Sequence, residues 1–283
     1  MTKTTKTERI TEFQRDNLIF DVIDTGPLEG HPIVLLHGFP ETANIWKQSS
    51  EILNQQGFRT YAVNQRGYSL KAQPVGRKAY ATQHLVADIN QLLDLIDQPV
   101  SLIGHDWGAV VAWEVALQYP EKIKHLTAIS VPHKAAFMRS FYSSKQLIKS
   151  YYIGLFQLPW VPGFLFYKIP KLGEALLKDS GMTPQQLEDF KKEMLLEKRL
   201  APSLNWYRGL PFSSNRNLLK KVKVPTLFIW GKHDSAIVEK SVELNHQYID
   251  APYKEIRMDA THWIPVQNAE QLTHHILQSI QPS

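Results

Sequence analysis

Cysteine is absent from the 283 residues of this chain. Its absence excludes disulfide bonds, iron–sulfur clusters, thiolate zinc sites and a cysteine nucleophile. The chain also has no large excess of one charge, since 32 lysine and arginine residues against 27 aspartate and glutamate residues leave a net charge of +5. The basic residues are not interleaved with aromatic residues as they are on nucleic-acid-binding surfaces. We therefore expect a globular protein with no nucleic-acid partner.

The sequence has no apolar run long enough to cross a bilayer. Its longest uncharged stretch, residues 150–167, is interrupted by glycine and proline and is shorter than the ~20 apolar residues of a spanning helix. We interpret it as the lining of an apolar pocket, with contact to a membrane surface as a minor alternative. The first eight residues are rich in threonine and lysine and do not resemble a secretory signal. We expect a cytoplasmic protein with no stable membrane span.

Short apolar runs alternate with helical periodicities along most of the chain. Candidate strands lie at residues 9–14, 18–23, 33–36, 60–63, 100–103, 123–131, 225–230 and 253–258. One helical pattern begins at Thr82 and another covers residues 107–118. This alternation predicts a mostly parallel sheet with helices on both faces. Strand signals are missing from residues 133–216, so we expect a core of residues 1–132 and 217–283 with a helical cap domain of residues 133–216.

The segment Gly104-His105-Asp106-Trp107-Gly108 joins a predicted strand to a predicted helix. Small residues on either side of the centre let the strand and helix approach closely, so the central side chain stands above the sheet. Aspartate is one of the few residues other than glycine that tolerate the positive φ of such a turn. The helix N-terminus also favours a carboxylate at this position. Asp106 is therefore the candidate nucleophile, although an aspartate before a helix is also a common N-cap.

Two further residues complete a possible catalytic triad. Asp234 follows the predicted strand at 225–230, and His262 follows the predicted strand at 253–258. Taken singly, they have simpler explanations as a turn aspartate and a surface histidine. Together with Asp106, however, they stand in the order nucleophile, acid and histidine that α/β hydrolases use. This order favours the catalytic interpretation of all three.

Residues 36–40, with the sequence Leu-His-Gly-Phe-Pro, resemble the oxyanion loop of the α/β-hydrolase fold. The resemblance to this fold extends from about Phe13 to the C-terminus. It implies a mostly parallel eight-stranded sheet with helices on both faces and an inserted helical cap (lid). The backbone N–H groups of Phe39 and Trp107 would form the oxyanion hole. The resemblance also implies a substrate pocket containing His37, Pro40, Trp107 and Trp263.

An aspartate nucleophile differs in its chemistry from a serine at the same position. A carboxylate attacks saturated carbon and becomes part of an enzyme ester, which water activated by His262 would then cleave. This chemistry disfavours esterases, lipases and peptidases. An oxygen leaving group needs hydrogen-bond donors, and tyrosine is suitable because it stays protonated at neutral pH, with an ordinary pKa of about 10.

Two tyrosine motifs of the predicted cap resemble those of epoxide hydrolases. One is Tyr151-Tyr152 shortly before a Phe-Gln pair, and the other is Tyr207 within an Asn-Trp-Tyr-Arg sequence. Carried over by position, Tyr152 and Tyr207 would donate to the epoxide oxygen, with the adjacent Tyr151 as the alternative to Tyr152. Aromatic packing of the cap is the simpler explanation of these side chains.

Membership of that family implies hydrolysis of a small hydrophobic epoxide to a vicinal diol, a detoxification reaction, by a monomer or homodimer. Water would be the only co-substrate. We expect no cofactor, and we expect no metal because the eleven histidines show no zinc-ligand spacing.

Two other functions remain open at the level of sequence. Haloalkane dehalogenases share the fold and the aspartate nucleophile, and here Trp107, together with Trp160, would supply their halide donors. A non-catalytic binding protein on the same fold is the other alternative, although it would not need the triad. The two tyrosines favour an epoxide substrate.

Overall fold

The structure of the protein is a computed structural model that describes residues 8–280. A sheet of eight strands crosses it in the order β1-β2-β4-β3-β5-β6-β7-β8. Adjacent strands from β4 to β8 in this order run parallel, whereas β2 pairs antiparallel with both β1 and β4. The strands are β1 Glu12–Arg15, β2 Leu18–Thr25, β3 His31–Leu36, β4 Phe58–Val63, β5 Val100–His105, β6 Ile123–Ile129, β7 Thr226–Gly231 and β8 Tyr253–Met258.

The central strands are buried on both faces because their sequences are continuous apolar runs. In β3, Val34 and Leu36 enter one core cluster, whereas Ile33 and Leu35 enter the other, as the alternation of side chains along a strand requires. Helices cover both faces of the sheet. Those outside the segment between β6 and β7 are α1 Lys47–Gln55, α2 Thr82–Ile96, α3 Trp107–Gln118, α12 Glu239–Asn245, α13 Ile264–Gln267 and α14 Ala269–Ile280.

The segment between β6 and β7 is helical or irregular in the structure, apart from an isolated bridge between Val222 and Ile249. We refer to residues 134–212 as the helical insertion. It contains α4 Lys134–Ser140, α5 Gln146–Lys149, α6 Tyr151–Gln157, α7 Val161–Lys168, α8 Pro170–Asp179, α9 Pro184–Phe190, α10 Leu200–Ser203 and α11 Asn205–Gly209. A π-helical stretch, Lys191–Leu196, follows α9 directly.

The predicted fold class is confirmed. Helix α3 and strand β8 have the predicted bounds, while β1 lies at Glu12–Arg15 rather than at residues 9–14. Within residues 8–280, no helix is long and apolar enough to cross a membrane. The division into core and cap domains at residues 133 and 216 stays a prediction.

The turn between β5 and α3 depends on two glycines. A Cβ atom at Gly104 would lie 2.3 Å from the carbonyl oxygen of Gly108, and one at Gly108 would lie 2.2 Å from the carbonyl oxygen of Leu36. Neither backbone oxygen can move without displacing a buried strand or the start of α3. The two glycines thus let β3, β5 and α3 meet at the residue between them, Asp106.

We expect Gly108→Ala to lower the free energy of unfolding by about 1–3 kcal/mol, since overpacking of a buried site has this cost. Gly163→Ala is the matched control, because a Cβ atom at Gly163 meets nothing within 4 Å. Alanine in α7 should leave stability unchanged or raise it by up to about 1 kcal/mol. Urea unfolding followed by circular dichroism measures both variants. Equal midpoints for the two would contradict the packing argument.

Candidate active site

Asp106 stands at the junction of β5 and α3 in a backbone conformation that few residues adopt. Its φ is 53° and its ψ is −118°. The backbone N–H of Phe39 donates to Oδ1 of Asp106 over 2.8 Å. The other carboxylate oxygen, Oδ2, lies 3.4 Å from Nε2 of His262. The carboxylate is thus held by one oxygen while the other faces the imidazole.

His262 lies between two carboxylates. Its Nδ1 is 2.8 Å from Oδ2 of Asp234, on the side of the ring opposite Asp106. The second oxygen of Asp234, Oδ1, accepts hydrogen bonds from the backbone N–H groups of Ala236 at 2.7 Å and Ile237 at 2.9 Å. Because both of its oxygens have partners, Asp234 has a fixed orientation. It therefore fixes the ring of His262 with Nε2 directed at Asp106.

The charges of this triad shift the pKa values of its members. Burial acts to lower the pKa of His262, but the charge of Asp234 and the hydrogen bonds to Asp106 and Asp234 outweigh it and raise the pKa well above its usual value. Burial acts to raise the pKa of Asp106, but the hydrogen bond and charge of His262, with smaller contributions from His105 and the Phe39 N–H, lower it. Both shifts favour the charged forms, a carboxylate beside an imidazolium.

The loop after β3 approaches Asp106 closely. A Cβ atom at Gly38 would lie 2.4 Å from Cβ of Asp106, so only glycine fits there. The peptide bond between Phe39 and Pro40 is cis. Trp107 is the first residue of α3, and an N–H group in the first turn of a helix has no intrahelical acceptor. The N–H groups of Phe39 and Trp107 are thus both available near the Asp106 carboxylate.

A cavity of about 230 Å³ lies between Asp106 and His262 on one side and the helical insertion on the other. Asp106, His262, Pro40 and Trp263 line it from the core. The insertion contributes Lys149, Tyr151, Tyr152, Leu155, Phe156, Phe166, Leu176, Leu177, Asp179, Ser180 and Tyr207. Most of these side chains are apolar or aromatic, so the cavity favours a hydrophobic ligand.

Tyr152 and Tyr207 are close together in this cavity. Their rings contact each other edge to face, with centroids 6.2 Å apart. Burial and the negative charge of Asp106 raise the pKa of both hydroxyls, so both stay protonated and able to donate. Tyr151 also lines the cavity, but it is 64% exposed. Its ring contacts the ring of Tyr152.

Reciprocal hydrogen bonds join the two tyrosine motifs. The side-chain amide of Gln157 donates to the carbonyl oxygen of Tyr207 over 2.6 Å, and Nε of Arg208 donates to the carbonyl oxygen of Phe156 over 3.1 Å. In addition, Nε1 of Trp206 donates to the carbonyl oxygen of a core residue, Arg66, over 2.6 Å. The Phe-Gln and Asn-Trp-Tyr-Arg sequences therefore bind α6 to α11 and α11 to the core.

Three residues with predicted roles lie outside the cavity. His37 is fully buried, and its ring contacts Tyr68 and the backbone of Gln65 instead of the pocket. Trp107 packs its indole behind the cavity, edge to face against the rings of Trp206 and Tyr207. Trp160 is 82% exposed on the outside of the insertion. His37 and Trp107 thus support the site from behind, and Trp160 faces solvent.

Several site residues escaped the sequence argument. The apolar lining from α8, Leu176 and Leu177, has no motif that distinguishes it from ordinary packing. His105 was noted only as part of the turn, yet its Nε2 donates to the carbonyl oxygen of His262 over 2.9 Å. Its position beside Asp106 is the one signal available in the sequence. Among the described residues, no cluster of histidine, aspartate and glutamate side chains is able to hold a metal ion.

Comparisons with known proteins bear on the fold and the family of the chain. Residues 31–161 match the family model described as the alpha/beta hydrolase fold. The chain is 31% identical to "Epoxide hydrolase 2" of Caenorhabditis elegans over 89% of its own length and 74% of that protein. It is 33% identical to "Epoxide hydrolase 3" of Xenopus tropicalis, with 87% and 70% covered. The crystal structure of epoxide hydrolase A from Mycobacterium thermoresistibile superimposes with a TM-score of 0.82 at 23% identity, covering 95% of this chain and 97% of that one.

The fold, the turn after β5 and the matched family model define a hydrolase of the α/β-hydrolase class. Within that class, the chain belongs to the epoxide hydrolase family, as its identity to two relatives over most of their length shows.

Proposed function

We propose that the protein hydrolyses a small hydrophobic epoxide to a vicinal diol through a covalent ester on Asp106. The observation that carries this proposal is the cavity itself. It contains a carboxylate paired with a histidine and also two protonated tyrosine hydroxyls, within an apolar lining. The helical insertion acts as the cap that supplies these hydroxyls.

In the first step, Oδ2 of Asp106 attacks one carbon of the epoxide. The Phe39 N–H holds Oδ1 at 2.8 Å, whereas the contact of Oδ2 with Nε2 of His262 is longer, at 3.4 Å, so Oδ2 is the oxygen that attacks. As the carbon–oxygen bond of the ring breaks, Tyr152 and Tyr207 donate hydrogen bonds to the departing oxygen. One of the two tyrosines then transfers its proton to that oxygen. This stabilises charge that develops only in the transition state, which is the most effective use of such donors.

The second step hydrolyses the ester. Alkylation removes the charge of Asp106, which is one of the contributions that raise the pKa of His262. The imidazolium then returns a proton to the tyrosine that gave one to the epoxide oxygen, and the neutral imidazole is able to act as a base. It takes a proton from water, and the hydroxide attacks Cγ of Asp106. The N–H groups of Phe39 and Trp107 stabilise the negative charge on Oδ1, while Asp234 stabilises the imidazolium. When the bond between Cγ and Oδ2 breaks, the leaving oxygen takes the proton of the new hydroxyl group on Cγ. The diol departs with the oxygen that was Oδ2, Asp106 is again a carboxylate and His262 is again an imidazolium.

The alternatives fit the cavity less well. A haloalkane dehalogenase needs N–H donors for its halide, but Trp160 is exposed to solvent and Trp107 lies behind Tyr207. A binding protein has no need for a fully hydrogen-bonded Asp234 behind a buried histidine. Conversion to a diol also removes the electrophile, which is consistent with a detoxifying role in the cytoplasm.

A single turnover in heavy-oxygen water tests the mechanism. With enzyme in excess over styrene oxide, we expect an unlabelled diol and one labelled oxygen in the peptide that contains Asp106, measured by mass spectrometry. In later turnovers the label should appear in the diol. A labelled diol in the first turnover means that water attacked the epoxide directly and contradicts the proposal. Halide release from an alkyl halide without diol formation from any epoxide would instead identify a dehalogenase.

A further inference from the structure

The outer surface of the helical insertion exposes large apolar side chains. We call six of them the outer patch, and they lie on α5 to α7 and at their ends: Leu147, Ile148, Tyr151, Trp160, Phe164 and Tyr167. Ile148 is 71% exposed and Trp160 is 82% exposed. Contiguous exposed apolar surface of this kind marks an interaction site more often than it occurs by chance.

The arrangement along α7 shows two distinct faces. Trp160, Phe164 and Tyr167 recur at intervals of four and three residues and are exposed, whereas Leu165 and Phe166 are buried against the protein. An amphipathic helix on the surface of a globular protein usually has polar residues at its exposed positions. The same outward placement continues in α5, and the helices from α5 to α8 pack consecutively against one another. The outer patch therefore lies on helices that contact one another.

Basic residues predominate in the segment that carries the outer patch, and the acidic residues Glu174 and Asp179 follow it on α8. No aspartate or glutamate occurs between Glu121 and Glu174. The same interval contains eight basic residues, namely Lys122, Lys124, Lys134, Arg139, Lys145, Lys149, Lys168 and Lys171. Of those next to the outer patch, Lys145, Lys168 and Lys171 are exposed. An apolar surface rich in aromatic residues and bordered by lysines complements a bilayer with anionic headgroups.

The outer patch adjoins the cavity. Tyr151 is 64% exposed as a member of the outer patch, and it also lines the cavity that contains Asp106. Lys149, next to it along the chain, lines the cavity as well. Tyr151 therefore belongs both to the outer patch and to the lining of the cavity.

We propose that the outer patch binds the surface of a bilayer that contains anionic lipids, with the cavity entrance turned towards the membrane. Trp160, Phe164 and Tyr167 enter the interfacial region, where tryptophan and tyrosine are favoured, while the lysines contact the headgroups. As a consequence that rests on the proposed function, apolar epoxides dissolved in the bilayer reach Asp106 without crossing water. A second copy of the chain is the less suitable partner, because a symmetric contact would bring the lysines of both copies together.

Co-sedimentation with vesicles tests the proposal without any substrate. The two preparations are phosphatidylcholine alone and phosphatidylcholine mixed with phosphatidylglycerol. We expect binding to the mixed vesicles that weakens at high salt, because the lysines are screened. The double variant Trp160→Ser/Phe164→Ser should lose binding affinity by about tenfold or more. Val75→Ser/Leu219→Ser is its control, since both residues are exposed, at 100% and 79%, far along the chain from the outer patch.

The contribution of charge has its own matched pair. Lys168→Glu/Lys171→Glu should reduce binding about tenfold or more, whereas Lys220→Glu/Lys221→Glu, with the same net change at exposed lysines elsewhere, should have a much smaller effect. The proposal is overturned if each outer-patch variant binds as strongly as its control variant, or if the parent protein does not bind the mixed vesicles. A dimer in light scattering that dissociates in Trp160→Ser/Phe164→Ser, without vesicle binding by the parent, identifies a second copy as the partner and also overturns it. Diol formation from a water-soluble epoxide, measured in parallel, reports on the proposed function separately.

Discussion

The variant His262→Gln is expected to react once with an epoxide and then stop. Steady-state turnover should fall by about four orders of magnitude, as it does when a triad member is removed. The alkylation step should persist, because Asp106 keeps its Phe39 hydrogen bond and its place at the N-terminus of α3. The expected result is therefore a stable ester on Asp106, visible in the intact mass as the addition of one epoxide molecule and located by peptide mapping.

Glutamine is the appropriate replacement because its amide is able to donate to Asp234, which otherwise is left as a buried charge without its partner. His274→Gln is the control, since it makes the same chemical change on the exposed side of α14. It should turn over like the parent protein and show no added mass after the substrate is consumed. Full turnover by His262→Gln, or a variant that is folded but never modified, argues against the covalent mechanism.

The double variant Tyr152→Phe/Tyr207→Phe is expected to lose most of its rate of alkylation. Removing a single donor to a developing oxyanion reduces kcat by about 10²–10³-fold, so removal of both should slow alkylation by about 10³-fold or more. Each single variant should lose less, because the remaining hydroxyl still donates to the same oxygen. Phenylalanine retains the ring contacts of Tyr207 with Phe39 and Phe156, so the cavity keeps its shape. Rapid-quench measurement of ester formation under single-turnover conditions gives the rate directly.

Two single variants sharpen this test. Tyr151→Phe decides between adjacent candidates: if its loss exceeds that of Tyr152→Phe, the donor has been assigned to the wrong tyrosine. Tyr142→Phe, at a side chain that is 94% exposed, should leave the rate unchanged. The raised pKa values of Tyr152 and Tyr207 also mean that neither hydroxyl should ionise at mildly alkaline pH. Alkylation should therefore show no decline there from loss of the donors.

The sequence predicted well what local chemistry determines. Helix α3 has the predicted bounds because glycine and aspartate specify its start and an apolar, alanine-rich pattern continues to Gln118. Strand β8, Tyr253–Met258, also has the predicted bounds. The order of Asp106, Asp234 and His262 indicated a shared site because parallel strands bring their carboxyl ends to one edge of the sheet. In the structure these side chains are within hydrogen-bonding or ion-pairing distance.

What the sequence left open depends on tertiary packing. Residues 150–167 were interpreted as pocket lining, but only part of them has that place: Tyr152 and Phe156 line the cavity, whereas Trp160 and Phe164 face outwards. A helix that is apolar all around carries no periodic signal for which side is buried. His37 was placed in the pocket by its neighbours in the loop, yet its ring turns inwards to Gln65. Such choices follow from the neighbouring elements rather than from the local sequence.

The reciprocal bonds between α6 and α11 have a consequence for how this enzyme can change over evolution. Gln157 and Arg208 attach to main-chain oxygens of the opposite segment, and every residue type provides such an oxygen. Leu155, Leu176 and Leu177 take no part in these attachments, so new side chains there alter which molecules fit while the hydroxyl pair keeps its spacing. Substrate range and bond-breaking chemistry are thus adjustable independently of each other.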